Sequence, residues 1–434
     1  MADRAIAGMR GTGSFTDQER PTNFLEKILR EYPDGPSPLM MILGMLKSRS
    51  VDDNKFNIFE QGLPDQIHLL ASTAAYAGEA AAAHRTWVLS TTPGSPYTNY
   101  AAPTKFFKAG HLVRVETTGE VVYVEAIVDG TTIRVVRDVG SSASYGDSGN
   151  AFASNLSAGS VELTIIGSAM EEGADTPSAI HYSPHEKWNY CEIFRTALSL
   201  TDDAAQTYYR TGDINQNTKF DCAMQHSMEL EKAFLWGRRE RVDQLAPVTI
   251  GEGENMRTTG GIKFWIDLEA PTHYLDGAND LTTPNTLTRD ELLDFLEPIY
   301  TVPGGSQNKV AFCGSTFLGV MSKYAEELGQ IFLEPREKTY GLQIKTLVHA
   351  WGDLRLVNHP LMSEHPSWRK SAVIVDTRNI MYTYLKGRDT RFLRERQGNG
   401  EDRVTHEFMT KCGLDLRHAR THGYITGVSD FAAS

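Results

Sequence analysis

Apolar positions change their spacing several times along the chain, and the sharpest change falls between Trp188 and Arg241. The run WNYCEIFRTALSL from Trp188 sets Tyr190, Ile193 and Phe194 among polar neighbours, the imperfect alternation of a half-buried strand. A polar link follows from Thr201, and in NTKFDCAMQHSMELEKAFLWGRRERV the residues Phe220, Met224, Met228, Leu235 and Trp236 recur near helical spacing. This spacing predicts a helix from Thr218 to Arg241, about 36 Å long at 1.5 Å per residue. Its apolar stripe is thin beside its charges, and it is longer than an ordinary compact domain lays across its surface.

Upstream, three Val-rich alternating runs from Phe106 are separated by turns at Thr117-Thr118-Gly119 and Asp129-Gly130-Thr131, and another strand is expected over Val161 to Ile166. Short strands at this spacing predict a small β-barrel or sandwich between Trp87 and Ile180. Downstream, Thr288-Arg289-Asp290-Glu291 forms a capping box ahead of LLDFLEPIY, so a helix starts there. Strands are expected over Lys309 to Cys313, Leu342 to Val348, Leu354 to Val357 and Ala372 to Val375, with a helix from Ser315. The first fifty residues are rich in Gly, Pro and charge, with an amphipathic stretch at Asn23 to Tyr32. After them PLMMILGMLK, from Pro38, is apolar enough to need a surface, its own core or that of a neighbour.

Composition narrows the class. A chain of 434 residues, 40% hydrophobic and 23% charged, has the make-up of an ordinary folded protein, and no apolar run approaches the roughly 20 residues that span a membrane. The N-terminal stretch has no apolar core behind its arginines, so residence in the cytoplasm, or assembly there, is expected. Cys191, Cys222, Cys313 and Cys412 are scattered and suggest neither zinc nor a disulfide framework. The net charge of −12 argues against wrapping nucleic acid, yet suits a wall around DNA that must not hold it tightly.

Candidate chemistry is sparse. Gly146-Asp147-Ser148-Gly149 copies the core of a serine-protease motif, but His84 lies in the wrong context and too close in sequence for that fold. The pairs His181/His185 and His418/His422 have i, i+4 spacing without helical surroundings, and no phosphate-binding loop occurs. No cofactor and no metal is expected. A cluster of cations, Lys386, Arg388, Arg391, Arg394, Arg396 and Arg403, is interleaved with acids and fits either a solvated strand pair or an ion-pair network across a subunit boundary.

Alternating arm, polar turn and long charged helix, in that order, resemble the major capsid proteins of tailed bacteriophages with the Hong Kong 97-type fold. Phe56 to Asp65 (FNIFEQGLPD), the strand Asn189-Tyr190-Cys191-Glu192-Ile193-Phe194 and the ending Glu407-Phe408-Met409-Thr410, Leu414-Asp415-Leu416, His422-Gly423-Tyr424-Ile425-Thr426-Gly427-Val428 are similar to a subfamily with a small β-domain inserted in the arm region.

The resemblance implies an α+β fold with an N-arm (1–52), an E-loop (53–86 and 181–212), an inserted β-domain (87–180), a P-domain spine helix (213–248), an A domain (249–385) and C-terminal strands (386–434). It implies a virion protein that self-assembles as hexamers and pentamers into an icosahedral shell. The shell encloses double-stranded DNA without reading its sequence, with a separate scaffolding protein, a portal and a decoration protein as partners. Phe56, Ile58, Phe59, Tyr190, Ile193 and Phe194 on the arm, Glu229, Glu231, Lys232, Arg238 and Arg239 on the helix, and Arg391 and Arg394 are the expected assembly residues. Two other readings rest on different residues: a carbohydrate- or receptor-binding virion protein using the β-domain through Tyr145 and Phe152, and a serine hydrolase centred on Ser148.

Overall fold

The computed structural model describes residues 35, 37–62, 66–71, 84–91, 102–116, 119–136, 161–177, 179–181, 183–209, 212–242, 256–327, 337–339 and 342–432. Within them the chain builds a mixed seven-stranded sheet in the order Tyr274–Asp276, Gly423–Thr426, Ala372–Val375, Asn308–Cys313, Gly352–Asn358, Leu342–His349, Glu337–Thr339. Alternation sorts its side chains. Ala311, Cys313, Leu354, Leu356 and Ile374 pack with the helices Arg289–Thr301 and Ser315–Glu327, whereas Phe312, Val357, Val373 and Val375 pack with Trp265 and Ile266 of the helix Ile262–Glu269. Both faces are covered, which is why these strands read as nearly continuous apolar runs. The capping box is formed: Thr288 Oγ1 accepts from Glu291 N–H, and the Glu291 carboxylate accepts from Thr288 N–H at 2.9 Å.

A second sheet has five strands: Ser48–Val51, Ile380–Leu385, Arg403–Leu416 and Glu192–Thr201 in order, with Arg391–Leu393 also paired to Arg403–Leu416. The long helix Ile214–Trp236 packs on it through Leu230 and Phe234, which share a core with Phe194, Cys412, Leu414 and Leu416. That helix starts and ends earlier than its spacing predicts. Asp213 caps it by accepting from Asn215 N–H at 2.9 Å. At the other end Gly237 lies so close to the chain that a Cβ there would sit 2.3 Å from the Ala233 carbonyl oxygen and 2.7 Å from that of Thr259. The backbone therefore leaves the helix, and Glu240–Val242 pairs with Met256–Thr258. The helix Pro38–Met45 buries Leu39 and Leu43 in the same core, so that side of it packs on this subunit.

The run expected as one side of an arm divides at Cys191. Only His185–Tyr190 pairs with Lys55–Glu60, as an antiparallel two-stranded ribbon with Phe56 opposite Asn189 and Phe59 opposite Glu186. Beyond Cys191 the strand Glu192–Thr201 runs antiparallel to Arg403–Leu416 along its whole length.

Between the two ribbon strands the chain forms a six-stranded sheet in the order Ile67–Leu69, Glu162–Ser168, His111–Val115, Val121–Ile127, Thr132–Val136, His84–Val88. It curls until its edges meet: Leu70 bridges Leu89, Ala71 N–H donates to the Val88 carbonyl at 2.9 Å and Ser90 N–H to that of Leu69 at 2.7 Å. Closure removes the exposed edges. The inside is a separate core of Trp87, Phe107, Val113, Val115, Val122, Val124, Ile133, Val135 and Leu163. This sheet begins at Ile67, about a strand before the expected start at Trp87.

Candidate assembly surface

Four of the six expected ribbon and strand residues are turned inward. Phe56 and Ile58 retain 3% and 6% of their exposure and pack with Val51 and Cys191; Tyr190 and Phe194 are equally buried. Alternation explains the division, because Phe56 and Ile58 share the face toward the body while Lys55, Asn57 and Phe59 share the other. These four residues are buried within the subunit itself. Phe59, 65% exposed, and Ile193, 49% exposed, remain available.

On the helix Glu231 is wholly buried. Its carboxylate accepts from Leu39 N–H and Met40 N–H, each at 2.8 Å, and from His359 Nε2 at 2.8 Å. Glu229 is half-buried and accepts from Thr196 Oγ1 at 3.2 Å and Gln225 Nε2 at 3.3 Å. Lys232 and Arg238 are exposed. Arg239 lies with its guanidinium 3.8 Å from the Trp188 ring centroid and donates to the Trp188 carbonyl at 2.7 Å, pinning the ribbon to the end of the helix.

The base of the ribbon holds residues that the sequence pattern did not mark. Asn189, with no exposed surface, donates from Nδ2 to Thr259 Oγ1, Gly260 O and Leu414 O at 3.2, 3.1 and 2.8 Å, while its Oδ1 accepts from Gly260 N–H at 2.8 Å and Tyr190 N–H at 2.9 Å. Lys187, 3% exposed, sits between two carboxylates, 2.5 Å from Glu60 Oε1 and 3.3 Å from Glu269 Oε2. Burial pushes the Glu269 carboxyl upward and the Lys187 charge opposes it. Glu60 Oε1 also accepts from His418 N–H at 2.8 Å. Each of these groups is paired, as buried charges and amides must be.

Arg391 and Arg394 are exposed, on and just after the short strand Arg391–Leu393. Lys219 from the long helix lies 4.3 Å from the Phe392 ring and Arg394 lies 6.0 Å from it, so cations from two elements flank one aromatic. Ser148, Tyr145 and Phe152 fall outside the described residues, and no group of three potential metal ligands occurs among those described. His422 is buried and His418 is not, so that pair does not share a surface.

Residues 11–429 match the family described as SU10 major capsid protein. The chain belongs to this family. The major capsid protein of Pseudomonas phage PaMx41 is 25% identical over 401 residues, covering 92% of this chain and 86% of that one. Among solved structures, a chain of Microbacterium phage Oxtober96 is 10% identical with a TM-score of 0.41 over 96% of this chain and 97% of its own. A chain of the satellite phage P4 procapsid with its size determination protein is 13% identical with a TM-score of 0.35, over 61% of this chain and 86% of its own. The protein is thus a major capsid protein, a structural component of the virion that forms the head shell. The expected α+β architecture stands, and the hydrolase reading lapses, since the family is one of structural capsid proteins. In a capsid subunit the useful surfaces are those left over after its own core is satisfied. By that measure Phe59, Ile193, Lys232, Arg238, Arg391 and Arg394 stay in the candidate set.

Proposed function

We propose that this subunit builds an icosahedral head as hexamers and pentamers, and that the ribbon of Lys55–Glu60 and His185–Tyr190 is the E-loop root that reaches a neighbour. The exposed Phe59 on a ribbon anchored by Asn189, Lys187 and Arg239 is the observation that carries this reading. An aromatic held out on a fixed support is costly to leave in water and loses little entropy when a partner covers it.

On this reading residues 1–52 are the N-arm, Ile214–Trp236 is the spine helix of the P domain, the seven-stranded sheet with its helices is the A domain, and the closed six-stranded sheet is an inserted domain. Its separate core supports that division. The fifty C-terminal residues are shared, Arg403–Leu416 lying under the spine helix and Gly423–Thr426 in the seven-stranded sheet. A separate scaffolding protein, a portal and a decoration protein complete the set of partners, and the shell holds double-stranded DNA without sequence-specific contacts. The acidic net charge of −12 supports a lining that does not grip DNA.

Electron microscopy with light scattering, on the protein expressed alone and with its neighbouring genes, tests the arrangement. Closed shells with six-fold and five-fold units are expected. A folded monomer that never associates under either condition would contradict it.

A further inference from the structure

Two features of one chain are each incomplete and fit each other. The first is a knob. Phe59 and Glu186 stand directly opposite on the two ribbon strands, so their side chains project from one face at neighbouring positions. Both are exposed, and among the large apolar side chains of the described residues only Tyr208, at 87%, exceeds the 65% exposure of Phe59. Tyrosine keeps a hydroxyl for water; phenylalanine has nothing to offer it. Among the described residues Glu186 accepts one hydrogen bond, from Asn57 Nδ2 at 2.5 Å, and forms no ion pair.

The second feature is a groove of about 440 Å³ where the first turns of the helix Ile214–Trp236 meet the edge of the five-stranded sheet. Leu198, Phe392 and Val404 supply its apolar lining, and Lys219 and Arg394 stand at its rim against the single Glu395. Among the described residues Lys219 and Arg394 have no acidic partner; they lean on the Phe392 ring instead. The groove therefore has an apolar lining and surplus positive charge, while the knob has an aromatic ring beside a carboxylate with no cation among the described residues.

Resting on the head-shell arrangement proposed above, we infer that Phe59 of one subunit enters this groove on the next, with Glu186 paired to Arg394. The occupant is a second copy of the chain, since the complementary charge and the exposed ring that an apolar groove would accept lie on the same sequence. A contact between two different patches of identical subunits is heterologous, and where its rotation closes it forms a ring. An aromatic anchor in a pocket beside one charge pair is also the usual make-up of an energetic centre in an interface. Arg394 then serves as an interface residue, and the groove gives that assignment a structural reason.

The test measures shell yield at fixed protein concentration together with the melting temperature of the unassembled subunit. Phe59→Ala is expected to lower yield by about tenfold or more, the scale of a central anchor, with the melting temperature unchanged because the side chain touches solvent. Glu186→Arg and Arg394→Glu are each expected to reduce yield, and the two together to restore it. Assembly of Phe59→Ala at the parent level, or failure of the paired charge swap to recover what each single change loses, would overturn this contact while leaving the head-shell arrangement standing. Absence of shells from the unsubstituted chain would overturn the arrangement itself.

Discussion

Glu231 and His359 meet 2.8 Å apart in the interior of the subunit, neither side chain reaching solvent. His359 Nδ1 accepts from Met362 N–H at 3.3 Å, so Nε2 carries the hydrogen that goes to Glu231. The same carboxylate holds the first two described N–H groups of the helix Pro38–Met45. One acidic side chain thereby joins the helix Pro38–Met45, the long helix Ile214–Trp236 and the loop at His359, and removing one partner of a satisfied buried charge of this kind is costly.

Glu231→Ala is expected to destabilise the unassembled subunit by about 3–5 kcal/mol, because three donors lose their acceptor in a dry site. Glu231→Gln keeps part of the acceptor and should cost less. Urea unfolding checks both, and a change under about 1 kcal/mol for the alanine variant would refute this role.

Asn189 fixes the ribbon by bridging the backbone at Gly260 and Leu414. Asn189→Ala leaves those buried groups unpaired and is expected to cost about 2–3 kcal/mol. Hydrogen exchange should quicken at the amides of His185–Tyr190 before it does so in the seven-stranded sheet. Equal protection in parent and variant would show that the ribbon is held elsewhere.

Gly413 lies beneath the same joint. A Cβ there would sit 2.4 Å from the Tyr190 carbonyl oxygen and 2.9 Å from Phe56 Cε1. Gly413→Ala must push Tyr190 and Phe56 away from Arg403–Leu416, and a loss of stability with poor assembly is expected. A variant that melts and assembles as the parent does would contradict the close approach.

Acid should weaken the subunit through its buried histidines. Burial lowers His273 to about 4 from 6.5, and it lowers His226 and His422 as well. Above pH 6.5 neither the folded nor the unfolded chain protonates these rings. As pH falls below 6.5 the unfolded chain takes up protons that the folded one refuses, so stability declines by about 1.4 kcal/mol per histidine per pH unit until the folded value is reached. Burial raises Glu192 and Glu269, which works in the opposite direction. His273→Gln isolates the histidine contribution. Between pH 7 and pH 5 its unfolding free energy should fall less than that of the parent, and parallel curves would refute the assignment.

What could be read in the sequence was local. The capping box at Thr288 and Glu291 spans four residues, and the Val-rich barrel strands carry their own alternation, so both appear where expected. Alternation alone could not say which face of Lys55–Glu60 meets the body, and the inward face proved to hold Phe56 and Ile58. Glu231 reads as a surface charge on a thin-striped helix because its partners stand 192 and 128 residues away. Asn189 is hidden in the same way, its partners lying 70, 71 and 225 residues distant. One miss had a local signal: Gly237 just after the last helical residue is a stop mark that the following arginines obscured.

On the contact inferred above, neighbouring subunits are joined by the ribbon of one at the start of the helix Ile214–Trp236 of the next. A cryo-electron microscopy map of shells assembled from this chain tests it most directly. Phe59 is expected to be seated against Leu198 and Phe392 of the adjacent subunit, at both six-fold and five-fold positions. A closed shell in which Phe59 faces solvent, or in which that groove is filled by another element, would contradict it.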